Sequence, residues 1–160
     1  MFKRFGKFLL VLFIAFSLGY VISGFTYSRA DISGHSMDYT LRDGQSVWVN
    51  RLPWNEYHRG DIVVLEADGT RIVKRVVAIG GDNIHFKGDD LYVNGKKVEE
   101  PYVTDSDYNK GVLAQDTKLE EDEFVVLGDN RDVSNDSRYF GPVRKSSLIG
   151  KVVGYEAQTR

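Results

Sequence analysis

With 160 residues, 42% of them hydrophobic, the chain is long enough for one domain plus an anchor and too apolar for wholesale disorder. The absence of cysteine excludes disulfides, thiolate metal sites and a cysteine nucleophile. Without Lys3, Arg4 and Lys7 the 21 basic residues fall to 18 against 23 acidic ones, a formal charge of −5, which argues against nucleic acid as a partner.

Residues 8–25 read FLLVLFIAFSLGYVISGF, without a charge. At ~1.5 Å per helical residue such a run approaches the ~30 Å hydrocarbon core of a bilayer. The basic flank precedes it, so residues 1–7 are expected in the cytoplasm, 8–25 across the lipid bilayer and 26–160 outside. A cleavable leader is the alternative: Ser28 and Ala30 are small residues at −3 and −1 of a potential cut before Asp31. The apolar run exceeds the usual ~7–15 residues of a leader, which favours a retained single-pass anchor.

Beyond the anchor, short β-prone runs dominate. Ser46–Val49 alternates, Asp61–Leu65 follows, and the turn residues Ala67-Asp68-Gly69 lead into a strand over Thr70–Ile79. Gly80-Gly81-Asp82 ends that strand. Asn83–Phe86, Leu91–Val93 and Lys96–Val98 come next, the last two joined by the hairpin dipeptide Asn94-Gly95. Pro101 to Gln115 reads as a surface loop, Glu123–Leu127 and Leu148–Tyr155 as strands, and Gly128 to Gly141 as a polar, turn-rich segment. No helix is expected after residue 26 except a turn around Lys145 to Leu148. The fold class is mainly antiparallel β behind an N-terminal transmembrane helix, with 83–125 a small insertion within the body.

Three segments carry candidate chemistry. In Ile32-Ser33-Gly34-His35-Ser36 the small residues let backbone approach a carbonyl, and the Ser36 amide is a candidate oxyanion donor. A lone serine is a weak nucleophile and needs a base. Lys74 lies among Ile72, Val73, Val76 and Val77, and alternation puts Ile72, Lys74 and Val76 on one face. A lysine buried there has its ammonium disfavoured; the bland alternative is an edge-strand lysine in solvent. The third segment, Gly128 to Arg138, is rich in acids. It lacks the sixth-position glycine and the closing glutamate of a calcium loop, so no metal is expected.

Together these segments resemble the conserved boxes of type I signal peptidases, the membrane-anchored Ser-Lys proteases that remove signal peptides. Residues 34–41, GHSMDYTL, resemble G-x-S-M-x-P-T-L; residues 74–82, KRVVAIGGD, resemble K-R-V-x-G-x-P-G-D; and residues 128–138 match G-D-N-R-x-x-S-x-D-S-R at every specified position. The likeness extends from Met1 to Tyr155. Tyr39, Ala78 and Gly80 depart from it, two of them replacing prolines, which frees φ beside the nucleophile and loosens the turn after the lysine strand.

The resemblance implies Ser36 as nucleophile, Lys74 as general base, Ser134 as the hydroxyl orienting that lysine, and Asp136 with Arg138 as a bracing pair. Asp129 and Arg131 are structural in this reading. Gly34 supplies no side-chain oxyanion donor where some relatives carry a serine. The implied substrates are signal peptides of exported preproteins, with small residues at −1 and −3, added as a strand along Ile32, Ser33, Gly34, His35, Met37, Leu41, Ile72 and Val73. No cofactor is implied, and the protein export machinery is a further expected partner. Two rivals remain: a self-cleaving repressor-type Ser-Lys protease, which leaves the third box unexplained, and a divergent relative that binds or helps assemble surface proteins without cutting them.

Overall fold

In the computed structural model the described residues are 2–88, 90–103 and 110–155, with side chains described except at 2–5, 18 and 21–25. Among the described residues eleven strands form two sheets, and every pairing is antiparallel. The larger sheet contains β1 (Tyr27–Asp31), β2 (Ser46–Asn50), β3 (Ile62–Ala67), β4 (Thr70–Ala78), β9 (Glu123–Leu127), β10 (Val143–Arg144) and β11 (Leu148–Tyr155). Their order is β1-β2-β11-β3-β4-β9-β10. The smaller sheet contains β5 (Asn83–Lys87), β6 (Asp90–Val93), β7 (Lys96–Lys97) and β8 (Thr117–Lys118), in the order β7-β6-β5-β8.

The strongly alternating runs became strands at nearly the expected bounds. No strand is expected over Tyr27–Asp31, where Tyr-Ser-Arg-Ala-Asp has no apolar face; β1 is an edge strand, pairing Tyr27 with Asn50 through Asp31 with Ser46. Two single turns of helix correct the expectation of none: a 3-10 turn at Gly111–Ala114, inside the presumed loop, and α2 at Ser137–Phe140. The turn at Lys145–Ser147 is 3-10. Residues 104–109 of the presumed loop, and 156–160 of the body, lie outside the described residues.

Helix α1 runs from Phe2 to Thr26 and passes directly into β1. Phe8, Leu9, Leu10, Val11, Leu12, Phe13 and Ile14 are all exposed, so successive apolar side chains point to every side of the helix. Among the described residues no helix is long and apolar enough to cross a membrane; in the run 8–25 the side chains at 18 and 21–25 are not described.

The core has three parts. One joins the two sheets, through Val77, Ile84, Phe86, Leu91, Val125 and Leu127. A second lies beneath residues 32–41, where Ile32, Met37 and Leu41 pack on Val47, Val49, Ile62, Val64 and Val152. The third joins Val63, Leu65 and Val76 to Phe124, Val126 and Val143. β4 is therefore an interior strand, covered from both sides, and this sets the environment of Lys74.

Candidate active site

The loop carrying Ser36 is fixed at its base and from below. Ile32 and Gln45 extend the β1–β2 ladder (2.8 Å), and the Gly44 amide donates to the Ile32 carbonyl (2.9 Å). The Gly34 amide donates to Asp43 Oδ1 at 2.8 Å. Met37 and Leu41, 1% and 0% exposed, hold the turn on the core, and the Leu41 amide donates to the Met37 carbonyl (2.8 Å). Ser36 is thus carried on a well-anchored turn.

Lys74 projects from β4 and is 3% exposed, which excludes the solvent-facing alternative. Its Nζ lies 2.7 Å from Ser36 Oγ and donates to the Val73 carbonyl at 3.0 Å. Burial lowers its pKa from 10.5 to about 8, with Arg138 adding to the fall and Asp136 and Asp129 opposing it. A lysine so placed is substantially neutral in mildly alkaline solution and can accept a hydroxyl proton. Among the described residues the Ser36 amide has no acceptor, so it is free to donate to an oxyanion.

The third box braces both groups. The Asn130 amide donates to the Ser36 carbonyl (3.1 Å). Arg75 forks onto Asp129, Nε to Oδ1 at 2.8 Å and Nη2 to Oδ2 at 2.6 Å, and Thr40 donates its hydroxyl to the same carboxylate. Asp136 and Arg138 are both fully buried: Arg138 Nε reaches Asp136 Oδ1 at 2.8 Å and its Nη2 reaches Oδ2 at 2.9 Å. Asp136 also accepts the Gly128 amide (2.9 Å) and caps α2 through the Arg138 amide. Gly128 has no room for a side chain, since a Cβ there would lie 2.2 Å from Ser134 Oγ and 2.5 Å from the Ser36 carbonyl oxygen. Ser134 Oγ is buried without a hydrogen-bond partner. It makes no hydrogen bond to Lys74, although it lies against Gly128, as the Ser36 carbonyl does.

A cleft of about 360 Å³ opens beside the pair. Of the residues expected along it, Ile32, Ser33, Met37, Ile72 and Val73 line it together with Ser36 and Lys74. Three do not. Leu41 belongs to the core, His35 faces a separate recess with Asp38, Tyr39, Arg42 and Asp43, and Gly34 serves the turn. Arg29, Ala30 and Asp31 of β1, Val64 of β3 and Arg71 of β4 also line the cleft; the first three belong to a strand the sequence pattern does not reveal. β4 pairs with β9 only from Arg75 onward, so residues 70–74 present an unpaired backbone edge to an extended peptide.

The two replaced prolines have different consequences. Tyr39 has φ +79°, a value the proline ring forbids, so the freed torsion is used by the turn. Tyr39→Pro is expected to reduce kcat/KM at least about tenfold, because the turn beside Ser36 must rebuild. Tyr39→Gly is expected to stabilise by about 1 kcal/mol in urea melts, by removing the left-handed strain. At Gly80, by contrast, a Cβ would lie 2.1 Å from the Glu121 carbonyl oxygen. That turn is pinned rather than loosened, with Asp82 accepting the Ile79 amide (2.9 Å), Asn94 (2.8 Å) and Arg59.

The family model described as "Signal peptidase, peptidase S26" matches residues 5–155. Signal peptidase IB of Staphylococcus aureus (strain Mu50) is 36% identical, covering 87% of this chain and 82% of that protein. Signal peptidase I of Bacillus amyloliquefaciens is 37% identical, covering 86% and 80%. Among solved structures, a signal peptidase I from Enterococcus faecalis V583 superposes with TM-score 0.53 at 30% identity, over 62% of this chain and 98% of that one.

Proposed function

The chain belongs to the signal peptidase family of serine peptidases, and from that premise we propose that it removes signal peptides from exported preproteins with a Ser36–Lys74 dyad held at the membrane surface. The observation that carries the dyad is the 2.7 Å approach of a buried, pKa-lowered lysine to Ser36 Oγ.

Neutral Lys74 takes the Ser36 proton as Oγ attacks the scissile carbonyl carbon. The Ser36 amide donates to the oxyanion. Collapse breaks the C–N bond, and the Lys74 ammonium gives its proton to the departing amine of the mature protein. Lys74 then takes a proton from water, whose oxygen attacks the ester; the C–Oγ bond breaks, the lysine ammonium returns that proton to Ser36 Oγ, and the signal-peptide carboxyl group leaves and ionises. Ser134, with its free buried hydroxyl, is suited to receive a hydrogen bond from the lysine when it carries the proton. Asp136 and Arg138 brace the site, and the substrate adds to the exposed edge of residues 70–74.

Anchoring is supported by α1, where the apolar side chains of Phe8 to Ile14 and of Phe16 are all exposed. Residues 1–7 are then cytoplasmic, 8–25 span the bilayer, and 26–160 are extracytoplasmic, with 83–125 an insertion. Ten residues separate Thr26 from Ser36, at most ~36 Å of chain, which keeps the nucleophile close to its membrane-held substrate. That placement also suits contact with the export machinery.

The test is cleavage of a preprotein by the detergent-solubilised protein, with the new N-terminus sequenced and the rate followed against pH. Cleavage after a small −1 residue is expected, with a rising limb centred near pH 8 as Lys74 loses its proton. A rate flat from pH 6 to 10 defeats the lysine assignment.

A further inference from the structure

Glu100 and Tyr102 lie outside all three motif segments, on the strap that follows β7, yet they reach the residues beside the dyad. The strap is tied to the smaller sheet: Val98 and Val103 pack on its core, the Val98 amide donates to the Leu91 carbonyl (2.8 Å), and the Val103 amide donates to the Glu100 carbonyl (3.0 Å). From it, two arms extend to the third box.

Glu100, with 9% of its side chain exposed, accepts Arg131 Nη2 at 2.6 Å and the Tyr102 hydroxyl at 3.1 Å. Arg131, fully buried, donates Nε to the Gly128 carbonyl at 2.9 Å. The Tyr102 ring lies under the Arg75 guanidinium, 4.1 Å from carbon to ring centroid. Arg75 is the residue after Lys74 and forks onto Asp129.

The arms therefore converge on Gly128-Asp129-Asn130. Gly128 abuts the Ser36 carbonyl without room for a methyl group, and the Asn130 amide donates to that same carbonyl. A displacement of this tripeptide moves Ser36 relative to Lys74, and catalysis is sensitive to such shifts.

We propose that Glu100 and Tyr102 are positioning residues for the hydrolytic reaction, a strap by which the smaller sheet sets the distance between nucleophile and base. The role rests on the peptidase reading above. Neither residue lines the substrate cleft, so it predicts a loss in kcat rather than in KM.

The test uses the full-length protein in detergent with a preprotein substrate, comparing Tyr102→Leu, Tyr102→Phe and Glu100→Gln with wild type. Tyr102→Leu is expected to lower kcat about tenfold with KM within about twofold, while Tyr102→Phe, which keeps the ring on Arg75, retains most of the rate. Glu100→Gln is expected to lower kcat by several-fold, and it decides the matter should Tyr102→Leu fail to fold.

Lys74 faces Ser36, Asp129, Asp136 and Arg138, and a strap loosened by Tyr102→Leu is expected to admit water among them. The rising limb of the Tyr102→Leu pH profile is therefore expected to move to higher pH. A fall in melting temperature with kcat and the pH limb unchanged, or a loss confined to KM, overturns the proposal. Inactive wild-type protein would instead defeat the peptidase reading, so the two failures are distinguishable.

Discussion

Ser36→Ala and Lys74→Ala are each expected to reduce preprotein cleavage by about 10⁴-fold or more, with the double variant no worse than either single one. The non-additivity follows from geometry. Among the described residues Ser36 Oγ is hydrogen-bonded to one amine, Lys74 Nζ, and that Nζ to one hydroxyl, Ser36 Oγ. Removing one therefore idles the other. Single-turnover assays of the four proteins check this; unimpaired cleavage by either single variant ends the dyad assignment.

Lys74→Met carries a second expectation. With its pKa lowered from 10.5 to about 8, Lys74 binds fewer protons in the native state than in the unfolded chain between those pH values. Its contribution to stability therefore rises with pH across that window and is most unfavourable below about pH 8. Lys74→Met is expected to melt at a higher temperature than wild type at pH 7, with the advantage shrinking toward pH 10.5. Stability measured at both pH values checks the sign.

How much of this was legible depends on what each residue's neighbours are. Strands β3, β4, β5, β6, β9 and β11 announced themselves as alternating or continuous apolar runs, and the Asn94-Gly95 turn because its two torsions are both left-handed. β1 did not, because its order comes from pairing with β2 rather than from burial. Missing β1 also hid Arg29, Ala30 and Asp31 on the wall of the cleft.

Lys74 shows the same limit at the site. Alternation placed it on an apolar face but could not say that the Ser36 turn and the third box close over it, and burial is what lowers its pKa. The residues that converge on it were gathered by likeness to a family, not by periodicity. Glu100 and Tyr102 left no signal at all: a glutamate before a proline and a tyrosine in a polar stretch read as loop. Their significance appears only when Arg131 and Arg75 are found above them.

The buried Asp136–Arg138 pair gives the sharpest separation of structure from electrostatics. Arg138→Met leaves Asp136 fully buried without its counter-charge, while the carboxylate still holds the Gly128 amide and caps α2. The expected cost is about 3–5 kcal/mol in urea melts. Asp136→Asn is expected to cost a similar amount, for the mirror-image reason. The two part company in the pH profile. Asp136 raises the pKa of Lys74 and Arg138 lowers it. Asp136→Asn should therefore move the rising limb below its wild-type position, so that the lysine is neutral at lower pH, and Arg138→Met should move it above. Arg138→Lys keeps the charge but loses the two-pronged contact, so it should lower stability while leaving the limb near its wild-type position. Limbs that shift in the same direction for Asp136→Asn and Arg138→Met would mean that these side chains act on Lys74 through its burial alone, since a change in water access has one sign and a change in charge has two.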